Sequence, residues 1–250
     1  MVISLAPHEN CTEHLAKFCL QHGVKHIVAF AGGSNSKGDH LSDEETRKAF
    51  QNYQSRFTRQ VLWEACAALK SYPVAILTGG TKDGVPEIGA KAAKDSGLKT
   101  IGIFPSVAKE DSILADLDIA FRVGPFYKSG NWGDESPFWS SVCDAVIVLG
   151  GASGTLIEMA HIMKINEGVA KTRAKNPDSD IKFKHIVPVH GLGGVAEQIQ
   201  FVWAMHEVRD ACMPKDIIKN GQGAAQYILT EWGYQTTASR SRHDFLSSNR

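Results

Sequence analysis

Three times in this sequence a short apolar run closes on a glycine pair followed by a small residue: Gly32-Gly33-Ser34, Gly79-Gly80-Thr81 and Gly150-Gly151-Ala152. Glycine tolerates positive φ and lets the backbone come close to a bound group. A helix that starts just after such a turn presents unpaired N–H groups and the positive end of its dipole to an anion. The chemistry this suits is phosphate or pyrophosphate binding. The candidate residues are Gly32, Gly33 and Ser34 in the first turn, and Gly79, Gly80, Thr81, Lys82 and Gly84 in the second. In the third they are Gly151, Ser153, Gly154 and Thr155. Lys82 either neutralises ligand phosphate or is an ordinary surface lysine. The plainer reading of all three turns is that they only connect elements.

The third turn runs on to Glu158. Thr155-x-x-Glu158 has the spacing of a capping box, in which both residues satisfy helix-end donors. The same spacing sets Glu158 one turn inside a phosphate-binding helix start. There a carboxylate can stabilise an oxocarbenium-like ribosyl carbon or activate water, which makes Glu158 the candidate catalytic residue. Asp134 and Glu135 are either a second carboxylate or solvated loop charges. Phe126, Tyr127, Trp132, Phe138 and Trp139 fall in one stretch, placed either to stack on a base or to pack at an interface.

The elements that must position these residues alternate regularly. Apolar, β-branched runs at 26–32, 73–78, 100–104, 118–123, 144–149 and 186–189 read as strands buried on both faces. Helical spacing marks 9–22, 43–69, 86–94, 155–165, 195–207 and 221–232, with Ser42 or Asp43 able to cap the second and a charged loop over 170–182. Strand–helix alternation of this kind implies an α/β fold with a doubly wound, mostly parallel sheet and helices on both faces. All three glycine turns then lie at the carboxyl edge, where such sheets bind ligands. We expect one domain over 1–234, with a helical N-terminal extension over 1–25 and a polar tail over 235–250.

Composition narrows the function. Twenty-seven basic residues balance twenty-seven acidic ones, so there is no basic excess for nucleic acid and no charge-driven membrane surface. The five cysteines include no pair at zinc or redox spacing. The N-terminal ten residues carry no basic and apolar leader pattern, and no run approaches a membrane span. A cytoplasmic protein is the expectation. The ten histidines form no metal set; His22 and His26, or His185 and His190, are read as structural. Gly191-Leu192-Gly193-Gly194 is too loose for a dinucleotide fingerprint, and neither a P-loop nor a nucleophile elbow is present. No resident cofactor or metal is expected.

The stretch from Asp144 to Glu158, DAVIVLGGASGTLIE, resembles the signature of the Lonely guy (LOG) family, cytokinin riboside 5′-monophosphate phosphoribohydrolases within the wider SLOG group of Rossmann-like nucleotide-binding domains. Residues 78–97, TGGTKDGVPEIGAKAAKDSG, resemble the group's other glycine motif, and the likeness extends over about 26–190. It implies a small phosphorylated nucleotide-type ligand, cleavage of an N-glycosidic bond of a nucleoside 5′-monophosphate, and a homodimer or higher oligomer. The dimer surfaces would be the helices at 43–69 and 153–165. The chain departs from the pattern at Ala152, where the family has glycine, and over 133–139, where the hydrolases carry an arginine and this chain has none. Those departures bear on hydrolysis rather than on fold, so the alternative is a non-catalytic SLOG-type module that senses or carries a nucleotide or nucleotide-like cofactor. Arg56, Arg59 and Arg122 are the candidates to replace the missing cation.

Overall fold

A computed structural model describes residues 2–5, 12–33, 43–126 and 129–235. Its elements in chain order are β1 (Val2–Leu5), α1 (Thr12–His22), β2 (His26–Gly32), α2 (Glu44–Leu69), β3 (Val74–Thr78), α3 (Gly84–Asp95), β4 (Lys99–Pro105) and β5 (Ile119–Val123). They continue with α4 (Ser136–Val142), β6 (Ala145–Leu149), α5 (Ser153–Lys175), β7 (His185–Val189), α6 (Gly194–Val202), α7 (Arg209–Cys212) and α8 (Gly221–Glu231). The seven strands form one sheet, ordered β1-β5-β4-β3-β2-β6-β7, and every pairing is parallel.

Period-two alternation sorts each strand between two cores. In β2, Ile27, Ala29 and Ala31 face one way, against Leu15 and Phe18 of α1, Trp139 of α4, Met159 and Ile162 of α5 and Val195 of α6. Val28 and Phe30 face the other way, against Val61, Leu62 and Ala65 of α2, Val85 of α3 and Ile228 of α8. Both faces are therefore covered, which is why the strands read as unbroken apolar runs. The doubly wound α/β expectation holds.

The structure departs from the sequence reading at β1, α5 and α6, and it adds the short helices α4 and α7, which helical spacing did not mark. Val2–Leu5, inside the expected helical extension, is an edge strand paired with β5 from Val2↔Ala120 to Leu5↔Val123. Four residues with no glycine turn behind them leave too little pattern to identify a strand. Helix α5 runs to Lys175, through part of the expected charged loop. It is held beyond residue 165 by Asn166, which is fully buried. The Asn166 amide donates to the Lys184 carbonyl (2.9 Å) and accepts from the Lys184 N–H (2.8 Å), clamping the helix to the start of β7. Helix α6 ends at Val202 rather than near 207. The α2 start is as expected, with the Asp43 carboxylate accepting from the N–H groups of Glu45 and Thr46.

The order of the sheet sets up the site. From β2 the chain winds outward through β3, β4 and β5, then returns across to β6 and β7 on the other side. β2 and β6 are neighbours, paired up to Gly32↔Leu149, and the helices that follow them diverge. The crevice outside their carboxyl ends is the topological switch point of an open α/β sheet. Asp144 fixes this pairing from below: its carboxylate accepts from the Ile27 N–H at 2.8 Å, and its own N–H donates to the Ile27 carbonyl.

Candidate functional site

Each glycine turn is held by its surroundings before any ligand arrives. Gly32 has no room for a side chain, since a Cβ there would collide with the Leu149 carbonyl and Val85. Gly150 and Gly151 take positive φ, +55° and +92°. Their carbonyls accept from Ala196 and Val195 at the start of α6, so the β6–α5 turn is tied to the β7–α6 turn. The second turn is fastened to the loop before β5. Lys82 donates from its backbone to the Ser112 carbonyl at 2.7 Å and from its ammonium to the Asp111 carbonyl. Asp83, at φ +74° and ψ 143°, is the one non-glycine residue with positive φ among the described residues. Strain of this kind persists only where the surroundings enforce it. Here the Glu87 carboxylate accepts the Asp83 N–H at 2.8 Å.

The turns enclose a cleft of about 440 Å³, within the range of small-ligand sites. Its floor is Gly32, Gly33 and Gly79, and one side is Thr81, Lys82 and Asp83. The other side is Gly154, Thr155 and Glu158 of α5, with Glu135 and Trp132 at the rim. Eight of the sequence-derived residues thus meet: Gly32, Gly33, Gly79, Thr81, Lys82, Gly154, Thr155 and Glu158. Others do not. Gly80 (φ +66°) backs onto Phe104 and Gly102, Gly84 is buried at the start of α3, and Ser153 opens α5 without lining the cleft. Gly151 lines an adjoining pocket together with Gly33. Ser34 lies outside the described residues.

The capping-box reading of Thr155 and Glu158 does not survive. Helix α5 begins at Ser153, and its N-cap is Ala152, whose side chain makes no capping hydrogen bond. The turn needs all of Gly150 to Ala152 to leave β6, so the helix starts earlier than a Thr155 cap requires. Thr155 is buried in the first turn. Glu158 lies in the next turn, with its backbone carbonyl accepting from the Ser140 hydroxyl of α4 at 3.2 Å. No hydrogen bond reaches its carboxyl group among the described residues, and the group faces the cleft. Burial, and then the negative charge of Glu135, push its pKa up to about 8.

Asp134 and Glu135 are not solvated loop charges. Asp134 is buried and accepts from the Asn131 N–H at 2.8 Å. The Glu135 carboxylate accepts from the Gly133 N–H at 2.8 Å. Its pKa is also raised, by burial first, with Asp134 adding to the effect. The aromatic stretch separates in space. Trp139 is core at 1% exposed and Phe138 packs edge-on to Phe121, while Trp132, 63% exposed, stands at the cleft. Tyr127 lies outside the described residues. None of the three candidate arginines lines the cleft. Arg122 pairs with Glu110 and covers the Phe104 ring. Arg56 and Arg59 sit on the outer side of α2 beside Trp63. Among the described residues, the cation at the cleft is Lys82. Sequence reasoning missed Asp83, whose only signal is its place in the turn, and it left the role of Glu135 open.

Residues 60–188 match the family model described as the SLOG cluster4 family. The chain belongs to the SLOG cluster4 family. Solved structures agree with this SLOG protein in fold. TM1055 aligns with a TM-score of 0.54 at 19% identity, over 82% of this chain and 99% of its own. The molybdenum cofactor binding protein of the phototrophic bacterium Rippkaea orientalis aligns at 0.53 and 16%, over 83% and 97%. The molybdenum cofactor carrier protein of Chlamydomonas reinhardtii aligns at 0.54 and 18%, over 84% and 99%. A search of curated protein sequences found no match. Among the described residues, no helix of this SLOG protein is long and apolar enough to cross a membrane.

Proposed function

We propose that the cleft binds a phosphate-bearing, nucleotide-like cofactor and that this SLOG protein carries or senses it without breaking its glycosidic bond. The observation that carries the reading is the state of Glu158. It is half-buried, its carboxyl group makes no hydrogen bond among the described residues, and burial and the charge of Glu135 push its pKa up to about 8, so it is mostly protonated at neutral pH. A neutral acid does not stabilise an oxocarbenium-like carbon by charge or take a proton from water; the one part in hydrolysis left to it is to protonate the leaving group as general acid. It does not repel an anion, and it can donate a hydrogen bond to a phosphate or ring oxygen. Gly154 supports the same reading. A Cβ there would meet nothing within 4 Å, so the amide end of α5 opens onto free space, as an anion site requires. Two of the matched structures are described as binding or carrying molybdenum cofactor, which favours a carrier over a hydrolase.

Hydrolysis keeps one argument of its own. Two carboxyl groups with raised pKa share the cleft, and such pairs often serve acid–base chemistry. The deciding experiment incubates pure protein with AMP, GMP and ribose 5-phosphate, measures binding by calorimetry and looks for free base by chromatography. We expect binding with no base release. Base release that disappears in Glu158→Gln would overturn the carrier reading, and no binding of any of the three would overturn the phosphate site itself. The reading includes a homo-oligomer, since Leu156 and Ile157 on α5 are each 42% exposed. Light scattering coupled to size exclusion would find a single subunit if that part is wrong.

A further inference from the structure

Away from the cleft, α2 and α3 pack together and leave a trough between their outer sides. Its α2 wall is Arg56, Arg59, Gln60 and Trp63, and its α3 wall is Gly84, Glu87, Ile88 and Lys91. Both sets have the i, i+3, i+4, i+7 spacing that puts side chains on one helix face. The trough takes up about 230 Å³ between the helices and continues along α2 as an open groove of about 410 Å³, with Arg59 and Trp63 common to both. Trp63 and Ile88 are half-buried and form an apolar floor over the core beneath. Arg56, Arg59 and Lys91 are exposed around it, with the Arg59 guanidinium 5.7 Å from the Trp63 ring centre. Other basic residues of these helices have partners: Lys48 pairs with Glu44, and Lys94 with Asp116. Arg56, Arg59 and Lys91 meet no carboxylate within ion-pair distance among the described residues. Glu87 is the one carboxylate lining the trough among the described residues, and it is engaged by the Asp83 N–H at 2.8 Å. Glu64, next to Trp63 in the chain, is turned towards α8, where it accepts from the Gly221 N–H at 3.1 Å.

We propose that this trough is a docking surface for a short acidic segment of a partner protein, with an apolar side chain against Trp63 and carboxylates on Arg56, Arg59 and Lys91. The proposal goes beyond the function proposed for the cleft and does not depend on what the cleft holds. Charge complementarity selects the occupant. Three unpaired cations around an apolar floor attract a chain that carries both carboxylates and an apolar residue, and Trp and Arg are the residues that most often dominate such contacts. From Arg56 to Trp63 the wall is about 10 Å long at 1.5 Å per residue, which matches about three residues of extended chain. A second copy of this chain turned about a twofold axis would bring the same three cations and the same single carboxylate against them, so an isologous dimer is disfavoured here. Nucleic acid is disfavoured because the chain has 27 basic against 27 acidic residues, with no basic excess to extend the contact along a phosphate backbone. The docked segment would lie behind one wall of the cleft, since Asp83 lines the cleft while Gly84 and Glu87 line the trough.

The test follows the fluorescence anisotropy of a labelled hexapeptide, a Leu-Phe pair between two pairs of glutamate, on titration with the full chain at low and at physiological salt. One control peptide replaces the glutamates by glutamine, another replaces the Leu-Phe pair by serines, and a thymidylate hexamer supplies negative charge without a peptide. The proteins are wild type, the double variant Arg59→Glu with Lys91→Glu and, at the cleft, Lys82→Glu. Circular dichroism confirms that each folds, and light scattering follows the oligomeric state. We expect wild type to bind the acidic apolar peptide at least about tenfold more tightly than either control peptide or the thymidylate hexamer, and less tightly as salt rises. The double variant should lose about tenfold or more, and Lys82→Glu should change binding less than about twofold at physiological salt. A control peptide or thymidylate hexamer that binds as tightly as the acidic apolar peptide refutes the proposal, and so does an acidic apolar peptide left unbound by wild type at about 1 mM. A loss in Lys82→Glu as large as in the double variant would put the peptide in the cleft. A lower mass for the double variant would make the face an interface between copies. Either result overturns the docking surface. The phosphate reading of the cleft stands or falls separately, on the binding of ribose 5-phosphate.

Discussion

Glu158→Gln isolates the electrostatics of the cleft, because it keeps the shape of the side chain and removes its titration. The carboxyl group has a pKa near 8 in the folded chain against an ordinary 4.5. The folded state therefore binds more protons than the unfolded state between those two values. The stability tied to this group is fully present below about pH 4.5, declines through the interval, and is gone above about pH 8. At 1.36 kcal/mol per decade the difference amounts to at most ~5 kcal/mol. Water on the open side of the cleft screens part of it, leaving about 2–3 kcal/mol. Wild type and Glu158→Gln should thus be nearly equal in stability at pH 5. At pH 9 the variant should be the more stable, by about 5–10 °C in Tm for a chain of this size. Thermal unfolding followed by circular dichroism from pH 5 to 9 gives both curves. A companion Glu135→Gln should move the wild-type decline to lower pH, since the Glu135 charge is the second cause of the shift. Parallel curves for wild type and Glu158→Gln across the whole range would refute the argument, and with it the neutral acid on which the carrier reading rests.

Further predictions concern the glycines. Gly154→Ala should fold normally and gain a few tenths to about 1 kcal/mol of helix stability, because its Cβ meets nothing in the fold; the same Cβ enters the cleft, so ribose 5-phosphate binding should drop while Tm does not. Gly151→Ala should lose about 2–3 kcal/mol in urea titrations, since its φ is +92° and its Cβ would lie 2.6 Å from the Thr155 hydroxyl. A loss for Gly154→Ala equal to that for Gly151→Ala would show that the two glycines share one structural role. Gly221→Ala should cost about 3 kcal/mol or more, because α8 crosses α2 where a Cβ would strike the Val61 carbonyl; an unchanged urea midpoint would mean the helices can separate freely there.

Much of this protein is legible locally. Apolar runs, three of them closing on glycine turns, mark six of the seven strands, because strands covered on both faces have no polar side to interrupt them. Helix α2 can be read from Asp43 onward because its cap and its three- and four-residue spacing are properties of one segment. The boundaries that were misread depend on other segments. β1 exists through its ladder to β5. The last turns of α5 depend on Asn166 reaching the backbone of Lys184, not on their own composition.

The functional residues divide along the same line. By itself the sequence determined that three glycine turns face one sheet edge, and that Thr155 and Glu158 follow the third, since chain order and parallel strands allow little else. It could not decide among the glycines, which look alike in the chain but differ in what a Cβ would meet: Gly154 faces open space, while Gly32 and Gly80 face backbone and packed side chains. Nor could it decide whether Glu158 caps a helix or lines a cleft. That depended on where the turn after β6 releases the chain, and on the burial of Glu135 beside it. Periodicity belongs to a segment, whereas desolvation and unpaired hydrogen-bonding groups belong to the space between segments, so the chemistry of this site was decided by the tertiary structure.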